Sequence, residues 1–423
     1  MTAPDSIRAA SCADDYDPNS MAVDKARGFI ARFLVPVAET ERVAVRAALG
    51  RVLAADVISP VDVPSHDNSA MDGYAARYAN LEPPGDLKLK VIGSAFAGVP
   101  FRGEVKSGEC VRIMTGGVIP DGADTIVMQE HAKAEDGWVT IGDGHKLGQH
   151  VRMAGEDLKN GQTALARGTW MRPAEVGLIA SLGVGEVSVF RKLRVAFFST
   201  GDELVSIGKP LGEGQIYDSN RYTLHAMLER LGCDILDMGV VRDDPALLEQ
   251  AFKDAATKAD VVITSGGVSV GEADFVKPLL DKLGEVVFWK IAMKPGRPLA
   301  YGRIGKAHFF GLPGNPVSVM VTFYQFVREA LWTLTGRHPV PALPTFLVPC
   351  TSKLKKAPGR TEFQRGILTQ DDTGLYSVRV TGEQGSGILR SMAEANCFII
   401  LPTDQGNVEP GALVQVQVME GAV

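Results

Sequence analysis

The sequence predicts a multidomain chain with four parts: a doubly wound α/β domain, an inserted β-rich domain, a discontinuous helical domain and a C-terminal β domain. Three observations support this fold class. The chain has 423 residues, enough for roughly two to four domains. Strand-like and helix-like runs alternate over 191–338. Short β-like runs separated by Gly and Pro turns fill 62–150 and 339–423.

Composition excludes several classes of protein. Hydrophobic residues make up 45% and charged residues 22%, values typical of globular proteins, so a disordered chain, a collagen and a coiled coil are excluded. The 44 basic and 50 acidic residues give a net charge of −6, which does not favour nucleic acid as the main partner. The five cysteines show no metal-ligand spacing, which indicates a reducing compartment without structural zinc.

The N-terminal segment carries neither a signal peptide nor a structural pattern. Residues 1–20 are polar and acidic and lack an apolar centre, so a disordered tail is predicted there. No run of about 18 apolar residues occurs anywhere, so no membrane span is expected. The sequence therefore predicts a cytoplasmic protein.

Two separated segments, 21–61 and 151–190, are predicted to form the discontinuous domain. Apolar residues at helical spacing predict helices through 21–58, with Thr40 as a cap for the second of them. Pro173 is a plausible first residue of a helix in the second segment. The β-rich domain, 62–150, is inserted between these segments.

The doubly wound domain is predicted over 191–338 because buried-strand runs and amphipathic runs alternate. The strand runs are RVAFFS, CDILDMGVV, DVVITS and HFFGL. The helical runs are SNRYTLHAMLERLG, PALLEQAFKDAATK, ADFVKPLLDKLG and PVSVMVTFYQFVREALWTLTG. A parallel sheet follows, and the C-terminal β domain, 339–423, begins after the Pro-rich HPVPALP.

The loops after these four strands are the first candidates for a binding site, because ligands of open parallel sheets lie at the carboxyl ends of the strands. None of the loops is a Walker A or GxGxxG motif. All of them contain Gly or Pro, carboxylates or hydroxyls. They supply Glu203, Asp243, Gly266, Gly267, Ser269, Asp274, Pro313, Gly314 and Ser318.

The chemistry of these loops suits a phosphate together with a hard cation. Gly266 and Gly267 allow close approach of backbone N–H groups to an anion, and Ser269 adds a hydroxyl. Carboxylates beside a phosphate repel it unless Mg²⁺ lies between them. For any one loop, a role of the acidic residue as a helix cap or turn residue is equally plausible. Four such loops at one sheet edge favour the binding site.

Three further groups carry polar side chains in unusual density. Lys290, Lys294 and Arg297 surround a Pro-Gly-Arg-Pro turn, which suits an oxyanion as well as it suits a solvated charged loop. Arg360, Arg365 and Ser386 add weaker signals in the last domain. The segment Asp67–Ala75 and the Thr115 loop are rich in acceptors and glycine, and turn capping is the alternative for both.

In combination, these segments resemble the molybdopterin molybdenumtransferase family, the MoeA type, which includes the E domain of gephyrin. The resemblance runs from about residue 20 to the C-terminus. It rests on DNSAMDGYA (67–75), MTGG with PDGAD (114–124), STGDEL (199–204), QIYDSN (215–220), SGGVSVGEAD (265–274), KPGRP (294–298) and LPGNPVS (312–318).

The resemblance implies a fold and an assembly. The discontinuous domain would be elongated, the doubly wound domain would bind molybdopterin, and the C-terminal domain would be β-barrel-like. Such proteins are homodimers whose cleft is shared between the doubly wound domain of one subunit and the β-rich domain of the other. The molybdopterin adenylyltransferase and downstream cofactor-processing proteins are the implied partners.

The implied reaction is the Mg²⁺-dependent insertion of molybdate into adenylylated molybdopterin, with release of AMP and formation of molybdenum cofactor. The resemblance assigns Mg²⁺ handling to Glu203, Asp243 and Asp274. Contributions from outside the doubly wound domain would come from Asp67, Thr115 and Asp157. The cradle for pterin phosphate and molybdate would comprise Gly266, Gly267, Ser269, Lys290, Lys294, Pro313, Gly314, Ser318, Arg365 and Ser386.

Two other functions remain as hypotheses at this point. A pyrophosphatase of the competence-damage type has similar STG and SGG loops but lacks the inserted domain. A scaffold protein would not need the intact acidic and basic sets. Molybdate-dependent release of AMP discriminates among the three.

Overall fold

The computed structural model describes residues 6–13, 20–82, 85–267 and 276–419. Its strands up to the end of the inserted domain are β1 (Thr40–Ala44), β2 (Val57–Ile58), β3 (Asn68–Ser69), β4 (Gly73–Ala76), β5 (Leu87–Ala95), β6 (Glu109–Ile113), β7 (Thr125–Met128), β8 (Ala132–Glu135) and β9 (Trp138–Ile141). The next are β10 (Val151–Arg152), β11 (Thr163–Leu165), β12 (Glu186–Phe190), β13 (Arg194–Thr200), β14 (Leu204–Val205), β15 (Ile216–Tyr217), β16 (Asp234–Val241) and β17 (Val261–Ser265). The last are β18 (Gly284–Lys290), β19 (Met293–Lys294), β20 (Pro298–Ile304), β21 (Ala307–Leu312), β22 (Thr345–Pro349), β23 (Thr361–Gln370), β24 (Tyr376–Val380), β25 (Cys397–Leu401) and β26 (Leu413–Val418).

Ten α-helices occur in the same described ranges. They are α1 (Ile7–Ala13), α2 (Val23–Ala31), α3 (Tyr78–Leu81), α4 (Pro173–Ser181), α5 (Ser219–Arg230), α6 (Pro245–Lys258), α7 (Val276–Leu283), α8 (Pro316–Thr322), α9 (Arg328–Leu334) and α10 (Arg390–Glu394). A π-helical turn, Phe323–Val327, joins α8 to α9, and short 3₁₀ turns occur at Val45–Ala47 and Gln129–His131. None of the helices described is long and apolar enough to cross a membrane.

The central sheet has the order β16-β13-β17-β21-β20-β18. Strands β16, β13, β17 and β21 are parallel, as predicted, whereas β20 and β18 run antiparallel at one edge. The all-parallel prediction is wrong for that edge, because Gly305 and Lys306 close a two-residue hairpin between Ile304 and Ala307. The sheet is covered on both faces. One core contains Phe197 and Leu224, and the other contains Phe198 and Phe252.

The predicted disordered tail is wrong for residues 6–13, which include α1. Ile7 is only 1% exposed, and its N–H donates to Glu285 Oε2 at 2.8 Å. Arg8 also pairs with Asp281 at 2.7 Å. Both partners lie more than 270 positions away from α1 in the sequence, so no local pattern could reveal this contact.

The prediction of helices through 21–58 is correct for α2 and wrong for the segments that form β1 and β2. Thr40 begins β1 rather than capping a helix, and β1 pairs antiparallel with β12, with Thr40 opposite Phe190. Strand β2 pairs with β11 in the same way, so strand pairing joins the two segments of the predicted discontinuous domain. Helix α4 does begin at Pro173, as predicted. The apolar residues of 40–58 face partners distant in sequence, and that partnership overrides helical spacing.

Two further six-stranded sheets flank this arrangement. The inserted segment forms a sheet with the order β7-β4-β6-β5-β9-β8. The C-terminal segment forms a sheet with the path β19-β23-β25-β26-β22, and β24 pairs with β23. Strand β19 comes from the region of the central sheet, so it joins the α/β domain to the C-terminal sheet.

A buried histidine in the central sheet predicts acid sensitivity. His308, in β21, is 6% exposed, and burial, with a smaller contribution from Arg303, lowers its pKa to about 4. An unfolded histidine titrates near pH 6.5, so between about pH 6.5 and 4 the unfolded chain binds a proton that the folded chain excludes. We expect the free energy of unfolding to fall by about 3 kcal/mol over this interval on account of His308.

Urea denaturation at pH 7, 5.5 and 4.5 measures this slope. His308→Gln should flatten it, and His131→Gln, at an exposed position, should leave it unchanged. An unaltered slope in His308→Gln would contradict the prediction.

Candidate functional site

A cleft of about 1050 Å³ opens at the carboxyl ends of the parallel strands. Its floor is formed by the residues that end or follow β13, β17 and β21. The 293–298 segment forms its basic wall, and the carboxylates of Glu203 and Asp243 form its acidic rim. The C-terminal domain closes one side with Arg360 and residues 384–387. The predicted site residues that line it are Glu203, Asp243, Gly266, Gly267, Lys294, Pro313, Gly314, Ser318 and Ser386.

The acidic rim consists of carboxylates that repel one another. The pKa of Asp243 is raised, first by partial burial and then by the negative charges of Asp202 and Glu203. Within the described ranges no group of three acidic, His or Cys side chains could hold a metal ion. Mg²⁺ commonly uses one or two carboxylates together with substrate phosphates, so Glu203 and Asp243 fit that role. Asp274 lies outside the described residues.

The glycine pair is required by backbone geometry. Gly266 has φ +91°, and a Cβ there would lie 2.6 Å from the carbonyl oxygen of Thr200. The prediction that these glycines let backbone N–H groups approach an anion stays a prediction, but the N–H of Gly266 itself donates to Leu312 O at 3.1 Å. Gly267 lines the cleft, and Ser269 lies outside the described residues.

Sequence reasoning missed two polar residues of the cleft. Asp218 is 2% exposed; its Oδ1 accepts from Arg221 N at 3.1 Å, and its Oδ2 has no hydrogen-bond partner among the residues described. Asn220 donates to Ser265 Oγ at 2.8 Å and to Gly314 O at 2.6 Å, which ties two floor loops together. Both belong to QIYDSN, a motif that supported the family resemblance without being assigned a site residue.

The basic wall only partly matches the prediction. Lys294 lines the cleft, and its Nζ lies 3.5 Å from Glu362 Oε1. Arg297 and Arg360 also line it. Lys290 does not line the cleft; its carbonyl oxygen accepts from Met21 N at 3.1 Å.

Arg365 lies behind the cleft rather than in its lining. The side chain is 1% exposed; Nε donates to Ser391 Oγ and Nη2 donates to Gly385 O, both at 3.0 Å. Burial lowers the pKa of its guanidinium to about 10. Arg365 therefore supports the loop that presents Ser386, and its assignment to the ligand cradle stays a prediction.

Asp67, Thr115 and Asp157 do not line this cleft. Asp67 Oδ1 accepts from Ala154 N at 2.7 Å, and Asp157 N donates to Val63 O at 3.0 Å. The Thr115 N–H and hydroxyl both donate to Asp72 Oδ1 at 2.7 Å, and these bonds lower the pKa of Asp72. Asp72, which holds the Thr115 loop, was not singled out from the sequence.

The fold and the cleft define a class: a multidomain α/β protein with a cleft lined by both acidic and basic side chains at the strand ends. Three family models match successive parts of the chain. They match the MoeA N-terminal region (domains I and II) over 21–183, a probable molybdopterin binding domain over 196–333 and the MoeA C-terminal region (domain IV) over 348–419.

Curated relatives support the same assignment. The chain is 47% identical to a molybdopterin molybdenumtransferase of Haemophilus influenzae, over 94% of this chain and 98% of that protein. It is 38% identical to a molybdopterin molybdenumtransferase of Nostoc, over 89% of this chain and 88% of that protein. The chain therefore belongs to the molybdopterin molybdenumtransferase family and is an enzyme of the transferase class.

A solved structure confirms the predicted fold class. A molybdopterin biosynthesis MoeA protein from Pyrococcus horikoshii superimposes with a TM-score of 0.82 at 28% identity, covering 95% of this chain and all of that one. The similarity extends through all the domains.

Proposed function

We propose that this chain inserts molybdate into adenylylated molybdopterin in a Mg²⁺-dependent reaction that releases AMP and yields molybdenum cofactor. One observation carries the proposal: a single cleft is lined by the acids Glu203 and Asp243 and by the cations Lys294 and Arg360. A substrate with a pyrophosphate needs carboxylates that can hold a metal ion, and the oxyanion molybdate needs positively charged side chains.

The acidic rim would act at the pyrophosphate. Glu203 and Asp243, together with Asp274, would hold Mg²⁺, which supplies positive charge that offsets the charge of the phosphates during P–O cleavage. Burial first, and then the negative charges of Asp202 and Glu203, raise the pKa of Asp243, and a cation would offset that repulsion. No covalent protein nucleophile is needed.

The basic side would attract and orient the oxyanions. Lys294 and Arg360 supply positive charge, and Ser318 at the start of α8 and Ser386 supply hydroxyl groups. Molybdate carries two negative charges near neutral pH, so entry into the cleft depends on these donors.

Asp67, Thr115 and Asp157 would reach a cleft only from a second copy of the chain. We therefore include a homodimer in the proposal, with the β-rich domain of one subunit completing the cleft of the other. A cytoplasmic location, supply of substrate by a molybdopterin adenylyltransferase and delivery to cofactor-processing proteins complete it.

Measurement of AMP release tests the function directly. Purified protein is incubated with adenylylated molybdopterin and Mg²⁺, with and without molybdate. Release that requires molybdate, accompanied by molybdenum cofactor, is expected. Release without molybdate would instead indicate a pyrophosphatase, and tight substrate binding without release would indicate a carrier or scaffold.

A further inference from the structure

The contact between β19 and β23 places a buried acid beside a lysine of the cleft. The two strands are parallel, with Met293 opposite Thr361 and Lys294 opposite Glu362. The N–H of Thr361 donates to Ala292 O at 2.9 Å. Lys294 and Glu362 are therefore neighbours across the junction between the α/β domain and the C-terminal sheet.

Glu362 is held at both carboxylate oxygens. It is 5% exposed; Oε1 lies 3.5 Å from Lys294 Nζ, and Oε2 accepts from Gln364 Nε2 at 2.9 Å. Gln364 is itself buried. A buried carboxylate is costly unless a cation and hydrogen-bond donors compensate it, and Lys294 and Gln364 supply these groups to Glu362.

A second cation, the buried Lys356, interacts electrostatically with the same carboxylate. Lys356 is buried, and its Nζ donates to Gln405 O at 2.9 Å and to Ala357 O at 3.3 Å. Burial lowers the pKa of Lys356. The negative charges of Glu362 and Asp404 oppose this shift, and the positive charges of Arg360 and Lys294 add to it. Glu362 thus lies near two cations: Lys294, which lines the cleft, and the buried Lys356.

We propose that Glu362 is a positioning residue that holds the ammonium group of Lys294 at the cleft wall, ready to bind an oxyanion. Half of the Lys294 side chain remains exposed, so one side faces Glu362 and the other is accessible to a ligand. A free lysine loses rotamer freedom when it binds an anion, and a lysine already held in place loses less. The inference rests on the proposed function only in requiring that the cleft bind an oxyanion.

Equilibrium dialysis with molybdate, and separately with inorganic phosphate, measures the effect on each class of oxyanion. E362Q keeps the size of the side chain and removes its charge; we expect about 3- to 10-fold weaker binding of the oxyanion that Lys294 contacts. K294M should weaken binding at least as much. The double variant should bind no more weakly than K294M, because Glu362 acts through Lys294.

Two variants serve as controls. E409Q removes an exposed acid of the same domain that pairs with Lys353 at 2.7 Å, and it should leave binding unchanged. E362D keeps the charge but shortens the side chain, so it should fall between E362Q and the original protein. In turnover, E362Q should raise KM for the oxyanion and leave kcat within about twofold, a split that a general loss of stability would not produce.

Several results would overturn the inference. They are tighter binding in E362Q, unchanged binding in E362Q, an equal loss from E362Q with and without Lys294, or the absence of oxyanion binding by the original protein. If E362Q does not fold, the double-mutant cycle can be completed with E362D, made once in the original protein and once in the K294M variant. Failure of the proposed function would show separately, as oxyanion binding without molybdate-dependent AMP release.

Discussion

Replacing Glu203 by Gln should reduce molybdate-dependent AMP release by at least about 100-fold without unfolding the protein. Glu203 lines the cleft beside Asp243, and the change removes one of the charges that would hold Mg²⁺. Its side chain is exposed, and its carbonyl oxygen, which accepts from Ile216 N, is unaffected by the change. AMP release at saturating substrate, together with far-ultraviolet circular dichroism, measures both parts of the prediction.

The matched control is Glu213→Gln. Glu213 is an exposed acid in the same loop region but does not line the cleft, so its replacement changes the net charge equally. It should retain near-normal activity. Equal activity in the two variants would show that Glu203 has no part in the reaction as proposed. Loss of the circular dichroism signal in Glu203→Gln would show that the residue is structural.

Replacing Arg365 by Met should lower both stability and activity. The guanidinium is buried, and its bonds to Ser391 Oγ and Gly385 O hold the loop that carries Ser386. Their loss leaves buried acceptors unpaired, and we expect about 2–4 kcal/mol lower free energy of unfolding. Displacement of the loop should reduce AMP release by at least about 10-fold. Urea denaturation and AMP release on the same preparation measure both.

Arg379→Met is the control for this prediction, because Arg379 is an exposed arginine on the neighbouring strand β24. Arg365→Lys keeps a positive charge but cannot span both acceptors, so it should restore only part of the stability. Full stability in Arg365→Met would refute the supporting role. Normal stability with lost activity would instead favour direct contact with the ligand.

The placement of the cleft residues shows how far sequence reasoning extends. The alternation of strands and helices predicts that the loops after four strands meet at one edge, and Glu203, Asp243 and Gly314 do line a common cleft. Sequence reasoning could not distinguish residues that line the cleft from residues that support its loops. Arg365 and Lys294 were both assigned to the cradle, yet only Lys294 lines the cleft.

The errors share one physical cause. The residues of β1 have helix-compatible spacing, but their partners in β12 lie about 145 positions away, and the pairing decides their conformation. Helix α1 carries little local signal and is fixed by contacts with Glu285 and Asp281. Asp72 and Glu362 became candidates only when their contacts with Thr115 and Lys294 were known.

The sequence by itself determined the α/β alternation, the glycine and carboxylate loops at the strand ends and the family. These depend on local periodicity and on motifs that lie within a few residues of one another. The tertiary structure alone decided which side chains line the cleft, that a buried oxygen of Asp218 has no hydrogen-bond partner within the described ranges, and that Glu362 pairs with Lys294. Those properties arise from contacts between segments distant in the chain, where burial and hydrogen bonding, rather than residue order, determine the geometry.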